Sequence, residues 1–257
     1  MILEEFDENK IAVFNAFDFI KKIDGFPKTV IGLFSQELLA EFVKVYKPEL
    51  VTTIKSYTVN FPVYVVTFGG KKIGVVQAPL GGPYCVELFE ELACYGGENF
   101  LLCGSCGCLD AAVGNYSIVL PTSAIRDEGT SYHYAPASDE IALDSEVMGV
   151  IEDTVKSLKL HYTSGKVWTT DALYRETPKK VKARKEQGAI VVDMECASMT
   201  AFAQFRGKRF GEIFYGADDL SKDEYDIRSL LDGDISVQAK IIPILIKCAE
   251  QISKKFS

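Results

Sequence analysis

Positive charge is scarce in this sequence and thinly spread. The 257 residues include 28 lysines and arginines against 36 aspartates and glutamates, which gives a formal net charge of −8. No basic run is longer than the neighbourhood of Lys179 and Lys180. The sequence therefore argues against a sequence-independent grip on the phosphates of a nucleic acid, and we expect small polar ligands instead.

Long apolar runs are also missing. No segment approaches the roughly 20 consecutive apolar residues that a membrane-spanning helix needs. The segment from Met1 to Lys10 is acidic, whereas a secretory signal peptide begins with a cationic stretch and continues with an apolar one. These features predict a cytoplasmic protein with no membrane partner.

Histidine is rare, and the cysteines do not suggest a disulfide framework. The chain has two histidines and an odd number of cysteines, seven. Most of the cysteines lie in apolar runs, as buried thiols do in a reducing compartment. Cys103 and Cys106 have a C-x-x-C spacing, but no second cysteine pair accompanies them, so we expect neither a metal site nor a cofactor.

Apolar runs of strand length alternate with amphipathic segments of helix length along the chain. This alternation predicts one α/β domain over residues 1–257, with a parallel or mixed sheet covered on both faces. The predicted strands are 29–34, 63–68, 72–78, 100–103, 117–122, 162–169, 189–194 and 211–217. The predicted helices are 35–46, 83–95, 144–158, 196–205 and 235–254.

Ligands of open α/β folds bind beyond the carboxyl ends of the strands, and one such end is rich in small residues. Gly104-Ser105-Cys106-Gly107 follows a predicted strand. Its glycines allow a tight turn whose amides point at an anion, with the Ser105 hydroxyl as a further donor. A tight turn that only allows close packing explains the segment equally well.

Three further strand ends carry acidic or aromatic side chains. In Asp193-Met194-Glu195, a buried carboxylate could accept hydrogen bonds from the two hydroxyls of a ribose, or the pair could cap the helix that follows. Asp218 or Asp219 could protonate a leaving group, or both could belong to a solvated turn. Trp168, the single tryptophan, could stack on a heterocycle or belong to the core.

Taken together, these segments resemble the nucleoside phosphorylase-I family, which includes uridine phosphorylases, hexameric purine nucleoside phosphorylases and methylthioadenosine/adenosylhomocysteine nucleosidases. The resemblance runs from Gly32 to the last helix. It rests on an ordered set of motifs: Gly81-Gly-Pro83, Cys103-Gly-Ser-Cys-Gly107, Arg126-Asp-Glu-Gly-Thr-Ser-Tyr-His-Tyr134, Val192-Asp-Met-Glu195 and Ala217-Asp218. It implies a three-layer α/β/α sandwich around a twisted mixed sheet, assembled as a homodimer or homohexamer.

The resemblance also implies roles for individual residues. Met194 and Glu195 match the ribose-binding pair, with Glu195 catalytic as well. Asp218 matches the catalytic acid that purine-cleaving members hold against the base, whereas Arg175 lies where uridine phosphorylases read uracil. The remaining implied roles are base stacking by Trp168 and phosphate binding by Gly32, Gly104 and Ser105.

The implied activity is a nucleoside phosphorylase of nucleoside salvage, a pentosyltransferase that uses inorganic phosphate as co-substrate to give a free base and a pentose 1-phosphate. The chain departs from that pattern at the phosphate, because the family's arginine positions hold Gln36 and Leu102 and the first arginine is Arg126. A phosphate-independent nucleosidase is therefore an alternative, in which Glu87 or Asp193 positions water. A nucleoside-binding protein without turnover is a third reading.

Overall fold

The computed structural model describes residues 2–222 and 224–256. The described residues form ten strands: β1 (Thr29–Leu33), β2 (Glu49–Lys55), β3 (Asn60–Phe68), β4 (Lys71–Gln77), β5 (Asn99–Cys108), β6 (Ile118–Asp127), β7 (Glu140–Ala142), β8 (Tyr162–Thr170), β9 (Ala189–Asp193) and β10 (Arg209–Asp219). The α-helices are α1 (Ala16–Phe19), α2 (Gln36–Tyr46), α3 (Gly82–Tyr95), α4 (Ser145–Ser157), α5 (Pro178–Glu186), α6 (Cys196–Arg206), α7 (Ile235–Gln238) and α8 (Ile241–Lys255).

All ten strands belong to one mixed sheet. The order is β10-β6-β8-β9-β5-β1-β4-β3-β2, and β7 pairs with β6. A further parallel pairing joins β10 to β5. The strands β5, β9, β8, β6 and β10 therefore close into a circuit, which brings the ends of β5, β9 and β10 to one place.

Helices cover both faces of the sheet because the central strands are apolar on both sides. In β5, Phe100 and Leu102 pack into the cluster that includes α3 and α6, whereas Leu101 and Cys103 pack into the cluster that includes α2, α4 and α8. This alternation follows from the two-residue period of a strand. The predicted three-layer α/β/α sandwich around a mixed sheet is confirmed.

The sequence pattern missed the short elements α1 and β7 and also two longer ones whose side chains are mostly exposed. Edge strand β2 buries only Ile54, so it lacks the apolar run by which the other strands were found. Helix α5 buries none of its residues, so it shows no apolar stripe of helical period. Both elements are defined by backbone hydrogen bonds rather than by an apolar face.

The single terminal helix predicted over 235–254 is wrong. The structure has two helices, α7 and α8, separated by Ala239 and Lys240. Pro243 explains the break, because a proline has no N–H to donate and its ring clashes with the carbonyl four residues earlier, here that of Ala239. The proline is tolerated in the first turn of α8.

A search for membrane spans within the described part of the chain found no helix long and apolar enough to cross a bilayer.

Gly32 lies inside β1, where the lack of a side chain leaves room for Leu102 and Phe89. A Cβ built there overlaps Leu102 Cδ2 and lies 2.8 Å from the Phe89 ring. We expect Gly32→Ala to lower the free energy of unfolding by about 1–3 kcal/mol, the usual cost of overpacking a core. Urea denaturation followed by circular dichroism measures this change.

Gly149→Ala is the matched control, because a Cβ at Gly149 in α4 meets nothing within 4 Å. That variant should be stabilised by roughly 0.5–1 kcal/mol through higher helix propensity. If Gly32→Ala keeps the wild-type stability and loses ligand binding, Gly32 serves a ligand and the packing explanation fails.

Candidate active site

A cavity of about 450 Å³ lies at the ends of β1, β5, β9 and β10. Its volume falls in the range of roughly 300–1,000 Å³ that is usual for small-molecule sites. The structure brings four of the predicted site residues into its lining: Ser105, Met194, Glu195 and Asp218. Strand ends that are far apart in sequence thus meet, as expected for an α/β fold.

Glu195 is held at the floor of the cavity by a backbone donor. The Gly81 N–H donates to Glu195 Oε1 at 2.6 Å. Gly81 has a φ of +91°, a left-handed conformation that favours glycine. Burial of the carboxyl group and the nearby Asp193 raise the pKa of Glu195 to about 8, so the group gains or loses its proton near neutral pH.

Asp193 ends strand β9 and caps the start of helix α6, and both of its carboxyl oxygens accept hydrogen bonds from the protein. Its Oδ1 accepts from Thr169 Oγ1 at 2.6 Å. Its Oδ2 accepts from the N–H groups of Glu195 and Cys196 at 2.9 and 2.6 Å. The capping interpretation therefore holds for Asp193 but not for Glu195, whose side chain makes no capping bond.

Close packing at Gly82 and buried hydrogen bonds to Glu128 hold the start of α3 against α6. A Cβ on Gly82 would lie within 3.0 Å of Ser198 Cβ, so only glycine fits between the two helices. Ser198 Oγ donates to Glu128 Oε2 at 2.6 Å, and the Ser131 N–H donates to the same oxygen at 2.9 Å. Glu128 and Ser198 are positioning residues that the sequence analysis did not single out, although Glu128 lies in one of its motifs.

The structure separates the two aspartates at the end of β10. Asp219 faces away from the cavity, forms an ion pair with Arg228 and accepts from the Ser221 N–H at 2.8 Å. Asp218 lines the cavity and is 5% exposed. A register shift between Gly216 and Asp218 marks the point where these side chains change direction.

Asp218 holds its proton more strongly than an exposed aspartate does. Burial raises its pKa, an effect partly offset by a hydrogen bond with Tyr225 and by the charge of Arg228. Glu176 also lines the cavity, and burial together with Asp218 raises its pKa to about 7. Nothing in the sequence indicated Glu176, because it lies in a loop without a motif.

Another acidic side chain, Glu37, lies at the end of the cavity that holds Ser105. Ser105 pairs with Tyr215 across β5 and β10, and all three residues line the cavity. Ser35 Oγ donates to Glu37 Oε2 at 3.0 Å. Ser35 caps helix α2, because its Oγ accepts from the Leu38 N–H at 3.1 Å, and this role explains Ser35 and the neighbouring Glu37 without a ligand.

The electrostatic character of the cavity is strongly acidic. Five carboxyl groups line it: Glu37, Glu176, Asp193, Glu195 and Asp218. No lysine, arginine or histidine from residues 2–222 or 224–256 lines it. The chain by itself therefore offers a ligand in this cavity no cationic side chain.

Two of the predicted phosphate-binding glycines do not line the cavity. Gly32 is enclosed within β1 by the packing described above. A Cβ on Gly104 would lie 2.7 Å from the Phe34 ring, so close packing also accounts for this glycine. The predicted tight turn is wrong, because residues 104–107 continue strand β5, and of these residues Ser105, Cys106 and Gly107 line the cavity.

The predicted stacking of Trp168 on a base is wrong. Its side chain is 0% exposed and packs with Leu109, Ile125 and Val192, while its Nε1–H donates to Asp127 Oδ2 at 3.0 Å. Trp168 is at a strand end, but it points to the core side of β8. The core interpretation is therefore the one the structure supports.

Arg175 and the other charged candidates lie elsewhere. Arg175 is exposed in the short 3₁₀ turn Leu173–Arg175 and does not line the cavity. Arg126 is buried and donates to Ser131 Oγ at 2.8 Å and Pro136 O at 2.7 Å. Glu87 is exposed on α3 and is not part of the lining, so its expected role in positioning water is wrong.

Comparison with known proteins gives consistent results. Over 158 residues the chain is 29% identical to a guanosine phosphorylase of Halorubrum lacusprofundi; the match covers 60% of this chain and 64% of that protein, less than two thirds of its length. A uridine phosphorylase from Vibrio fischeri ES114 has a similar fold, with a TM-score of 0.77, 18% identity and coverage of 91% and 95% of the two chains. An AMP nucleosidase from Bacteroides thetaiotaomicron VPI-5482 superposes with a TM-score of 0.72, 18% identity and 90% coverage of both chains.

Both solved structures are less than 25% identical to this chain in sequence. Their similarity therefore shows a common fold alone. The family comparison is broader: the model of the phosphorylase superfamily matches residues 28–248. These residues include every strand and the cavity lining described above. The chain therefore belongs to the phosphorylase superfamily, whose members here are nucleoside phosphorylases and nucleosidases.

Proposed function

We propose that this protein hydrolyses the N-glycosidic bond of a nucleoside, releasing a free base and a free sugar. The observation that carries the proposal is the acidic cavity, in which five carboxyl groups and no cationic side chain of the described residues surround a nucleoside-sized space. Water is a neutral nucleophile that this environment accepts. Phosphate is an anion, and no lysine, arginine or histidine of the described residues lines the cavity to bind it.

The charges of the cavity lining support water rather than phosphate as the nucleophile. Charge-assisted hydrogen bonds from arginine or lysine supply much of the affinity for a phosphate dianion. Glu37 lies at the Ser105 end of the cavity, where the family resemblance implies phosphate. A carboxylate at this position opposes phosphate binding and favours a bound water.

Glu195 and Asp218 supply the two interactions that cleavage of the bond needs. The transition state for cleavage of the glycosidic bond carries positive charge on the sugar and negative charge on the departing base. Ionised Glu195 accepts from the sugar hydroxyls and stabilises the positive charge. Protonated Asp218 donates its proton to the base nitrogen as the bond from that nitrogen to C1′ breaks.

Glu37 completes the reaction as the base for water. Its carboxylate takes one proton from the water whose oxygen bonds to C1′, while the base leaves with the proton from Asp218. The net change is the addition of one water molecule across the glycosidic bond. Asp193 is unsuited to this task because hydrogen bonds to Thr169, Glu195 and Cys196 occupy its oxygens.

Phosphorolysis is the second candidate. The Ser105 hydroxyl is exposed at the end of the cavity, and one curated relative is named a guanosine phosphorylase. In this case the cations would have to come from a second copy of the chain, as in the homo-oligomers that the family resemblance implies.

Release of free base with and without inorganic phosphate tests the proposal directly. The substrates are adenosine, inosine, guanosine, uridine and methylthioadenosine. Free base is measured by chromatography in phosphate-free buffer and in about 50 mM phosphate, which is well above typical KM values of up to about 1 mM. We expect release without phosphate. Release that requires phosphate would establish phosphorolysis, and binding without release would mean a nucleoside-binding protein.

Glu37→Gln identifies the base for water. We expect kcat to fall by about 10²-fold or more, the usual size of a general-base contribution. Glu41→Gln is the matched control, one turn later on α2 and outside the cavity, and it should keep wild-type kcat. Equal activity of the two variants would remove Glu37 from the mechanism.

Asp218→Asn tests the proton donor through the leaving group. We expect kcat to fall by roughly 10²-fold or more for a natural nucleoside, but far less for 4-nitrophenyl β-D-ribofuranoside, whose leaving group needs no proton. Asp219→Asn, which removes the ion pair with Arg228, should destabilise the protein without this dependence on the leaving group. Equal losses on both substrates would make Asp218 structural.

Glu195→Gln tests the sugar contact and its pH dependence. Below a pKa of about 8 the buried carboxyl group is neutral and above it anionic, so the wild-type kcat/KM should rise as the pH increases through this value. The variant should lose that rise, together with the preference for ribosides over 2′-deoxyribosides. A pH–rate profile that the substitution leaves unchanged would contradict the assignment.

A further inference from the structure

A second and larger cavity adjoins the base end of the first one. Its volume is about 1,180 Å³, compared with about 450 Å³ for the cavity that contains Glu195. Five residues line both: Leu173, Glu176, Asp218, Leu230 and Leu231. A base held against Asp218 therefore lies at the boundary between the two spaces.

Much of the wall of this second cavity, which we call the outer cavity, is apolar. Five large apolar or aromatic side chains that line it are exposed: Leu173, Tyr174, Tyr225, Ile227 and Leu231. Leu231 is 75% exposed and Tyr174 is 95% exposed. Apolar surface gathered around a cavity is typical of a binding site rather than of ordinary surface.

The outer cavity differs from the inner one because lysines line it, in addition to the carboxyl groups of Glu176, Glu186 and Asp218. Three line it: Lys182, Lys185 and Lys222. Lys182 and Lys222 form only long ion pairs, 4.0 Å from Glu186 and Asp219, with side chains 79% and 69% exposed. Lys185 Nζ donates to the Ser221 carbonyl at 2.8 Å, which leaves two of its protons for other acceptors.

We propose that the substrate is a nucleoside whose base carries a bulky apolar substituent ending in an anionic group, and that the outer cavity binds this substituent. The proposal rests on the proposed function, because it takes Asp218 to hold the base. The apolar substituent covers the exposed side chains around Leu231, and its anionic end reaches the lysines.

The distribution of charge supports this orientation of the substrate. The inner cavity holds the neutral sugar among carboxyl groups, whereas the cations are confined to the outer cavity. An anion on the sugar would face Glu37 and Glu195. An anion at the far end of the base meets lysines, so only one end of the substrate can carry the charge.

Binding of free bases tests the outer cavity without any need for turnover. Adenine, N6-benzyladenine and N6-(4-carboxybenzyl)adenine are titrated into the full chain by isothermal calorimetry, and uracil with its 5-benzyl and 5-(4-carboxybenzyl) derivatives forms a second series. In the series that the protein accepts, the benzyl group should improve Kd by about tenfold or more, as burial of an aromatic ring does. The carboxylate should add a further factor of about three, typical of exposed ion pairs.

Two sets of variants separate the apolar and ionic contributions. The double variant Lys182→Glu/Lys222→Glu should abolish the gain from the carboxylate and preserve the gain from the benzyl group. Lys179→Glu is its matched control, since Lys179 is exposed on the same helix α5 and lines neither cavity. Leu231→Ser should reduce the benzyl gain, whereas Leu158→Ser, at an exposed leucine outside both cavities, should not.

The results distinguish this proposal from the proposed function. Extended bases that bind no better than the plain base in both series would overturn it, as would a carboxylate gain that survives the double lysine variant. If the extended bases bind as expected but no nucleoside is cleaved, the ligand proposed for the outer cavity is supported and the proposed hydrolysis is contradicted. If plain nucleosides are cleaved without phosphate but the substituents add no affinity, hydrolysis stands and the outer cavity fails.

Discussion

The hydrogen bond from the Gly81 N–H to Glu195 joins the starts of helices α3 and α6 at the floor of the cavity. It depends on close contact between these helices, which Gly82 permits because a side chain there would collide with Ser198. Ser198 is itself fixed by Glu128. The orientation of the Glu195 carboxyl group is thus determined by close packing between two helices, and the other cavity residues lie around it.

Burial of carboxyl groups is the main electrostatic cost of this arrangement, and protonation reduces it. Burial raises the pKa of Glu195, of Asp218 and of the fully buried Glu212 beneath them. Neutral carboxyl groups avoid the desolvation of a charge. Under the proposed mechanism, the substrate supplies hydroxyl donors to Glu195 and an acceptor to Asp218. Binding then favours an ionised Glu195 and a protonated Asp218, which are the two states that the mechanism requires.

The sequence was sufficient to predict the cavity residues that lie at the ends of buried strands. Ser105, Glu195 and Asp218 were found because strand ends converge in this fold, and the structure brings them to one cavity. Position at a strand end does not determine which side a residue faces, so Trp168 was assigned to the site although it belongs to the core. Glu37 was missed for another reason, since helix capping by Ser35 already explained its pattern.

Proteins that share a fold can bind different ligands. The fold determines where the strands end, whereas the loops determine which charged side chains lie at those ends. The Bacteroides AMP nucleosidase and the Vibrio uridine phosphorylase superpose on this chain at 18% identity, and their names indicate different substrates. In this chain, the residues between β10 and α8 contribute Lys222 and Leu231 to the outer cavity, and the segment from Leu173 through α5 contributes Lys182 and Lys185. Both segments line the outer cavity together with Asp218, so under our proposal they select the base while Glu195 and Asp218 keep their positions.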